Sequence, residues 1–409
     1  MKITIIGSGY VGLTSALCFA NVGHQVLCID NDQNKIHKLQ NKIPTIFEAG
    51  LEEMLAKAVD TKHIEFTDDM SRAVNFSQII ILAVGTPQNE ITGEADLSYI
   101  HQAISSAKNF IKEDKIFITK STVPVGTNFA IQKILQDNCE HKIHIASNPE
   151  FMREGFAIED FMNPDRIVLG IDHENCKIQL NQLYQYWIEK NFPILYTDIS
   201  TAELIKYASN AFLMTKVCFI NEMEELAGKV KANIKDLSLG MGLDHRIGKA
   251  FLNPGPGIGG SCFPKDSMAL KFIAKQNQME LSIINQVIDS NYNRFKKMAE
   301  KIQKFFDKKE IAVLGLAFKA GTDDVRMSPA IEIIKFLLAD NFKIYGYDPQ
   351  AIINTQKILG DKIIYCQNLK ECFDITDNIV ILTEWAEFKT IKNFPEFSNK
   401  KIMDLRYIL

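Results

Sequence analysis

The sequence has no CxxC pair, no HExxH-type histidine spacing, no block of one charge and no apolar run near the roughly 18 residues that span a bilayer. Each absence excludes a class. Eight cysteines among 409 residues without metal-ligand spacing do not form a disulfide framework or a recognisable zinc motif, so no metal is expected. Lys+Arg 46 against Asp+Glu 50 leaves a net charge of −4, which gives no electrostatic footprint for nucleic acid or an anionic membrane. The opening MKITIIGSGYVG turns to glycine too soon for a signal-peptide core. The expectation is a soluble, cytoplasmic protein with reduced thiols. A composition that is 46% hydrophobic and 23% charged is that of a globular chain, and the length suggests two to three domains at roughly 150 residues each.

What is present is a repeated alternation of β-rich and helical stretches. The runs at 2–7, 25–30, 78–84, 115–121, 142–147, 166–171 and 193–197 are short and apolar, as in a parallel sheet covered on both faces. Residues 200–230 contain no proline and one late glycine, and read as a single long helix. Leu204, Ala208, Phe212 and Phe219 lie on one side of it and Leu213, Val217 and Ile220 on another, a distribution expected to be buried between domains or subunits. Further helices are expected at 233–241, 264–276 and 281–306. The β/α alternation returns at 310–318, 342–348, 378–385 and 401–405, with Ser328-Pro329 as N-cap and first position of a helix over 329–340.

Gly7-Ser8-Gly9-Tyr10-Val11-Gly12 is GxGxxG between a strand and a helix. Gly7, Gly9 and Gly12 permit a tight turn and bring backbone N–H groups to a pyrophosphate at the positive end of that helix. The second strand ends at Asp30, placed to accept from a ribose 2′-OH and to repel a 2′-phosphate, which favours NAD over NADP. Lys35, on the next helix, reads from the residues alone as a solvated lysine.

The stretch Asn253-Pro254-Gly255-Pro256-Gly257-Ile258-Gly259-Gly260-Ser261-Cys262-Phe263-Pro264-Lys265-Asp266 is too rich in glycine and proline for helix or central strand. Cys262 therefore ends a fixed loop at the start of a helix, with Lys265 close by, conditions that favour thiolate. The other cysteines have no such surroundings. A nicotinamide cofactor with a nucleophilic cysteine implies oxidation of an aldehyde through a thiohemiacetal and a thioester to an acid. Lys206 and Asn210, four residues apart, share a helix face; they serve either an oxyanion or a surface contact. Asp266 either holds water or the lysine, or stabilises the helix start. The strand ends Ser121-Thr122 and Asn148-Pro149-Glu150-Phe151 lie where open α/β sheets bind ligands. Glu150 is a candidate for activating water, the alternative being a capping or surface glutamate.

With GSGYVG, KSTVPVGT, SNPEF-x-REG, AELIKYASNAF, GPGIGGSCFPKD and LGLAFKAGTDDVRMSP in this order, the chain resembles the UDP-glucose/GDP-mannose dehydrogenase family from residue 1 to about 406, and most of all its members that act on UDP-glucose. The resemblance implies an α/β protein with a Rossmann-type NAD domain at 1–199, a helical dimerisation domain at 200–300 and a Rossmann-like UDP-sugar domain at 301–409. It implies oxidation of UDP-glucose at C6 to UDP-glucuronate with two NAD⁺ and one water, in nucleotide-sugar metabolism and polysaccharide biosynthesis. Cys262 would be the nucleophile, Lys206 and Asn210 the oxyanion pair, Asp266 a partner for water or lysine, and Thr122 and Glu150 the holders of the other water. NAD contacts carried over are Val11, Asp30, Lys35, Thr86, Thr122, Glu154, Lys265 and Arg326. Substrate contacts are Glu150, Phe151, Met152, Arg153, Glu154, Lys206, Asn210, Phe251, Leu252, Asn253, Pro254, Gly255, Gly259, Lys319 and Arg406, with Arg246 lent to a neighbouring subunit. By the same resemblance the long helix is a homodimer interface. Ile258 stands where the family commonly has an aromatic, which bears on the shape of the sugar pocket.

Three other readings remain at this level. The same machinery serves GDP-mannose or a UDP-N-acetylhexosamine. A two-electron 3-hydroxyacid-type dehydrogenase, or a silent NAD-binding sensor, would need no cysteine.

Overall fold

In the computed structural model, which describes residues 1–89 and 92–409, the apolar runs of the first half form β1 (Lys2–Ile6), β2 (Gln25–Ile29), β4 (Ile79–Leu82), β5 (Lys115–Thr119), β6 (Ile143–Ser147), β7 (Ile167–Ile171) and β8 (Ile194–Thr197). An eighth strand, β3 (Ile64–Thr67), is not legible in the sequence: four residues, Ile-Glu-Phe-Thr, followed by Asp68-Asp69, carry too little periodicity. The sheet order is β3-β2-β1-β4-β5-β6-β7-β8. All pairs are parallel except β6 with β7, where Ala146 faces Ile171 and Ser147 faces Gly170. That reversal departs from the expected all-parallel sheet.

Apolar side chains fill both faces. Phe19, Phe161, Tyr184 and Trp187 pack edge-on under one, and Ile80, Leu82 and Phe117 lie in the core of the other. Lys115 is fully buried; its Nζ donates to the carbonyls of Val74 and Ser77 at 2.7 Å each.

The second half holds β9 (Glu310–Leu314), β10 (Lys343–Tyr347), β11 (Ile364–Tyr365), β12 (Asn378–Ile381) and β13 (Lys401–Asp404), in the order β11-β10-β9-β12-β13 and parallel throughout. This repeats the order of the first five strands. In both sheets the strand order reverses beside the first strand, which is where such sheets open a ligand crevice. Gly7 follows β1 with φ +104° and Gly315 follows β9 with φ +99°. The carboxylates after the second strands mirror each other. Asp30 accepts from Ser8 N at 2.8 Å, and Asp348 accepts from Leu316 N at 2.8 Å and Ala317 N at 3.0 Å.

The chain divides into two compact units, Met1–Ala208 and Ser209–Leu409, so the boundary falls inside the long helix, Ile199–Val230. On that helix Ile220 is buried as expected. Leu204, Phe212, Phe219 and Leu226 are exposed, Phe212 at 64%. The other α-helices described in the second half are Ile234–Gly242, Phe263–Gln276, Ser282–Phe305, Pro329–Ala339, Ile352–Leu359 and Leu369–Asp374. Ser328 occupies the N-cap of Pro329–Ala339, but its hydroxyl caps no N–H; it donates to Leu316 O at 2.7 Å. Among the described residues no helix is long and apolar enough to cross a membrane.

Candidate active site

Gly9 begins the helix Tyr10–Asn21, with no side chain capping it. A Cβ at Gly12 would lie 1.9 Å from Gly7 O, and one at Gly7 would lie 2.7 Å from Ala83 O. Both positions therefore demand glycine. At Gly9 a Cβ would meet nothing within 4 Å, which leaves a bare backbone face at the helix start where a pyrophosphate fits. Val11 follows in the first turn. The Asp30 carboxylate accepts from Ser8 N, Ser8 Oγ at 2.6 Å and Asp32 N at 3.0 Å. Its burial acts against ionisation, but the Ser8 and Asp32 hydrogen bonds and the nearby Lys35 charge outweigh it and hold the carboxyl below its usual range. A carboxylate offers about four lone-pair sites, so one remains for a ribose hydroxyl. These features fit NAD. At the ends of β4 and β5, Thr86 Oγ1 donates to Thr122 O at 2.8 Å, tying two expected cofactor residues together.

The segment after β6 bends back on itself. Glu150 Oε2 accepts from Met152 N at 2.7 Å, and Oε1 accepts from Lys206 Nζ at 3.0 Å. Glu150 and Lys206 are 8% and 4% exposed, so the glutamate is the partner of the lysine and neither capping nor surface group. Phe151 lies beneath the Arg166 guanidinium at 3.8 Å, with Lys206 Nζ 5.4 Å from the ring. Arg153 is exposed and pairs with Asp160 at 2.6 Å. Glu154 is half-buried in the same loop. The other end of this loop is pinned by groups that spacing did not reveal. Tyr10 hydrogen-bonds to Glu48, and Gly155 N donates to both Tyr10 OH and Glu48 Oε2 at 2.8 Å. Burial, then Glu48, push the Tyr10 phenol far up, so it stays protonated. Lys120 is a second missed residue: it is buried, donates to Asn148 Oδ1 at 2.9 Å, and burial lowers its pKa to about 8 against the pull of Glu150.

In the second unit the glycine loop is fixed from three sides. Gly255 N donates to Asn221 Oδ1 at 2.8 Å, while Gly255 O accepts from Arg294 Nε at 3.1 Å and its terminal nitrogen at 2.9 Å. Asn291 accepts from Ile258 N at 2.8 Å and donates to Ile258 O at 2.9 Å. Gly260 N donates to Arg326 O at 2.9 Å. A Cβ at Gly259 would lie 2.2 Å from Met327 O, and Gly260 has φ +89° with the Phe318 ring 2.7 Å from its Cβ position. Phe251, which packs edge-on against Phe263, takes φ +63°, a strained value for an aromatic residue. Leu252 is buried, and its carbonyl accepts from Ser238 Oγ. Asn253 and Pro254 lead from there into the loop.

Cys262 caps the helix Phe263–Gln276, half-buried, with its Sγ 3.5 Å from Ser261 Oγ. One turn on, Asp266 is 1% exposed and uses both carboxylate oxygens: Oδ1 accepts from Lys265 Nζ at 2.5 Å and Oδ2 from Asn210 Nδ2 at 2.6 Å. Asn210, at 4% exposure, points inward as its helix spacing implied. Arg406 stands against the loop, its guanidinium nitrogen 2.9 Å from where a Gly255 Cβ would be, and donates to Leu382 O and Phe318 O at 2.9 and 3.1 Å. Lys319 Nζ is 5.5 Å from the Phe318 ring, and Arg326 pairs with Asp324 at 2.6 Å. Thus Gly255, Gly259, Gly260, Phe318, Lys319 and Arg406 form one neighbourhood. Arg246 is not drawn into it: its exposed guanidinium pairs with Asp244 at 2.6 Å.

Residues 1–188 match the NAD binding domain, 200–293 the central domain and 312–409 the UDP binding domain of one family. The chain belongs to the UDP-glucose/GDP-mannose dehydrogenase family. It is 46% identical to a UDP-glucose 6-dehydrogenase of Rickettsia prowazekii, over 100% of this chain and 96% of that protein. Among solved structures it is similar to a UDP-glucose dehydrogenase of the archaeon Pyrobaculum islandicum, with TM-score 0.91, 33% identity and coverage of 100% and 94%. A UDP-D-ManNAc dehydrogenase of Pyrococcus horikoshii gives TM-score 0.84 at 25% identity, covering 100% of this chain and 96% of that one. Family membership therefore fixes the fold more firmly than it fixes the sugar.

Proposed function

We propose that the chain is an NAD-dependent UDP-glucose 6-dehydrogenase, oxidising C6 of UDP-glucose twice to give UDP-glucuronate. The observation that carries this is Cys262, set at a helix start by a rigid glycine loop and followed one turn later by the buried Asp266, which joins the buried Asn210 to Lys265. The Rickettsia and Pyrobaculum relatives supply the substrate in this reading.

The Gly7–Gly12 turn, Asp30 and Lys35 would hold NAD⁺, one molecule for each oxidation, and each would take one hydride from C6. The protein's own groups do the rest. Lys206 and Asn210 stabilise negative charge at the C6 oxygen, which develops as the alcohol loses its proton and again when a nucleophile adds. The Cys262 thiolate adds to the C6 aldehyde, forming a carbon–sulfur bond and a thiohemiacetal. Loss of hydride from C6 leaves a thioester. Water held by Glu150, Thr122 or Asp266 attacks it, breaking the carbon–sulfur bond, releasing the carboxylate and restoring the thiol. Lys319, Arg406 and the loop from Phe251 to Gly259 hold the UDP-sugar.

The three family matches support reading 1–199 as the cofactor domain, 200–300 as the dimerisation segment and 301–409 as the UDP-sugar domain. A homodimer is part of this reading, supported by the exposed row Phe212, Phe219 and Leu226, which recurs at about a heptad on the long helix. Arg246, exposed in its own chain, would then reach a neighbour's site. A cytoplasmic location accords with substrates of this kind.

Side-by-side assay of UDP-glucose, GDP-mannose and UDP-N-acetylmannosamine tests the proposal. Faster turnover of UDP-glucose, with UDP-glucuronate as product, is expected. Preference for either other sugar nucleotide would overturn the substrate, and one NADH with an aldehyde product would overturn the reaction type.

A further inference from the structure

A second cluster of ligating side chains lies in the first unit, at the opposite end of β6 from Glu150. His144 sits near the start of β6, Asp172 directly follows β7, and Cys176 lies in the first turn of the helix Glu174–Leu183. One ligand atom from each of the three lies within 4.8 Å of the others. We propose that His144, Asp172 and Cys176 bind a zinc ion.

Chemistry of the donors selects the metal. One imidazole nitrogen, one thiolate and one carboxylate oxygen are a borderline-soft set that suits Zn²⁺ and does not suit Mg²⁺ or Ca²⁺, which take oxygen ligands. Cys176 Sγ is already 3.2 Å from Asp172 Oδ1. Two such ligands on one tetrahedral zinc are separated by about 3.6 Å, from bond lengths near 2.3 and 2.1 Å. Rotation of the half-buried His144 ring closes the remaining gap, since one face of the cluster is open to solvent.

Surrounding groups orient the ligands as outer-shell partners do. Gln132 Nε2 donates to Asp172 Oδ2 at 3.3 Å and to Ile143 O at 2.9 Å, which leaves Asp172 Oδ1 directed at the sulfur. The His173 ring lies against His144, centroids 5.0 Å apart and planes tilted by 36°, and its Nδ1 accepts from Asn175 N at 3.1 Å. His173 therefore packs against the site, and water takes the fourth position. The thiol is buried and loses its proton to the solvent when the metal binds.

No spacing motif announced this site, because its three ligands come from two separate stretches, one of them a strand. Zinc there would fasten β6 to the antiparallel β7, the reversal that distinguishes this sheet. The inference is independent of the substrate.

The test uses the full chain, stripped with a chelator and titrated with Co²⁺, whose bond to a thiolate gives an intense near-ultraviolet charge-transfer band. Cys262→Ser chain is titrated in parallel to remove the other reactive thiol. One equivalent of cobalt with that band, displaced by Zn²⁺ in both chains, is expected. His144→Ala and Asp172→Asn should each weaken binding at least about tenfold, and Cys176→Ser should abolish the band. If the buried serine variant does not fold, the other two carry the test. Absence of the band in the Cys262→Ser chain, or unchanged affinity in both His144→Ala and Asp172→Asn, would overturn the proposal.

Discussion

Lys206 Nζ donates to Glu150 Oε1 across 3.0 Å, and both side chains are buried. The glutamate arises on the loop after β6 and the lysine on the long helix, so this ion pair ties the loop to the helix within the first unit. Removing one partner of a buried pair leaves the other charged and unsolvated, at a cost of about 3–5 kcal/mol.

Lys206→Ala should therefore lower stability by that order and turnover as well. Lys206→Met combined with Glu150→Gln should regain most of the stability, because no charge is left buried, yet stay inactive. Denaturation midpoints and steady-state rates of the two variants separate the roles. A double variant with near-normal turnover would show the pair to be structural only.

Gly259→Ala places a Cβ 2.2 Å from Met327 O, and that carbonyl belongs to backbone that cannot rotate away. The loop must move by an ångström or so, and displacement of that size costs about a hundredfold in rate. Turnover should fall by that order while far-ultraviolet circular dichroism is unchanged. Undiminished turnover would mean that the loop does not set the position of Cys262.

Lys120 carries the pH dependence. Burial holds its pKa at about 8, against 10.5 ordinarily. Below pH 8 it is charged folded and unfolded, and the burial cost is present in full. Between 8 and 10.5 the folded state has shed the proton that the unfolded chain still holds, so stability from this group rises with pH, by about 3 kcal/mol in all. Lys120→Met should remove that rise. Denaturant midpoints from about pH 8 to about pH 10 check it, and equal slopes in the two proteins would contradict the assignment.

In the proposed function Lys319 holds the nucleotide end of the substrate and takes no part at the reacting carbon. Lys319→Ala should raise KM for UDP-glucose and leave kcat within about twofold, since it removes binding shared by ground and transition states. A fall in kcat with KM unchanged would move Lys319 to the chemical step.

Much of this was legible because it is local. Gly7 and Gly12 announce a turn that only glycine can make, and the Gly255–Gly260 run excludes regular structure without reference to anything distant. Lys206 and Asn210 share a face because helix geometry fixes it, and both are buried, which leaves the surface contact aside. What escaped the sequence depends on chain reversal or tertiary approach. Nothing near β6 signals that β7 returns antiparallel to it. Tyr10 and Glu48 meet across 38 positions, and Arg294 reaches the glycine loop across 39. Ser328 has the right identity for a capping hydroxyl and stands at the N-cap, but its side chain is turned to Leu316 O and accepts from no N–H of the helix.

The most direct test is mass analysis of the protein during turnover of UDP-glucose with NAD⁺. A sugar nucleotide attached through Cys262 Sγ in the native chain, absent from Cys262→Ala, together with loss of UDP-glucuronate formation in that variant, is the predicted result. Full conversion to UDP-glucuronate by Cys262→Ala would contradict the account.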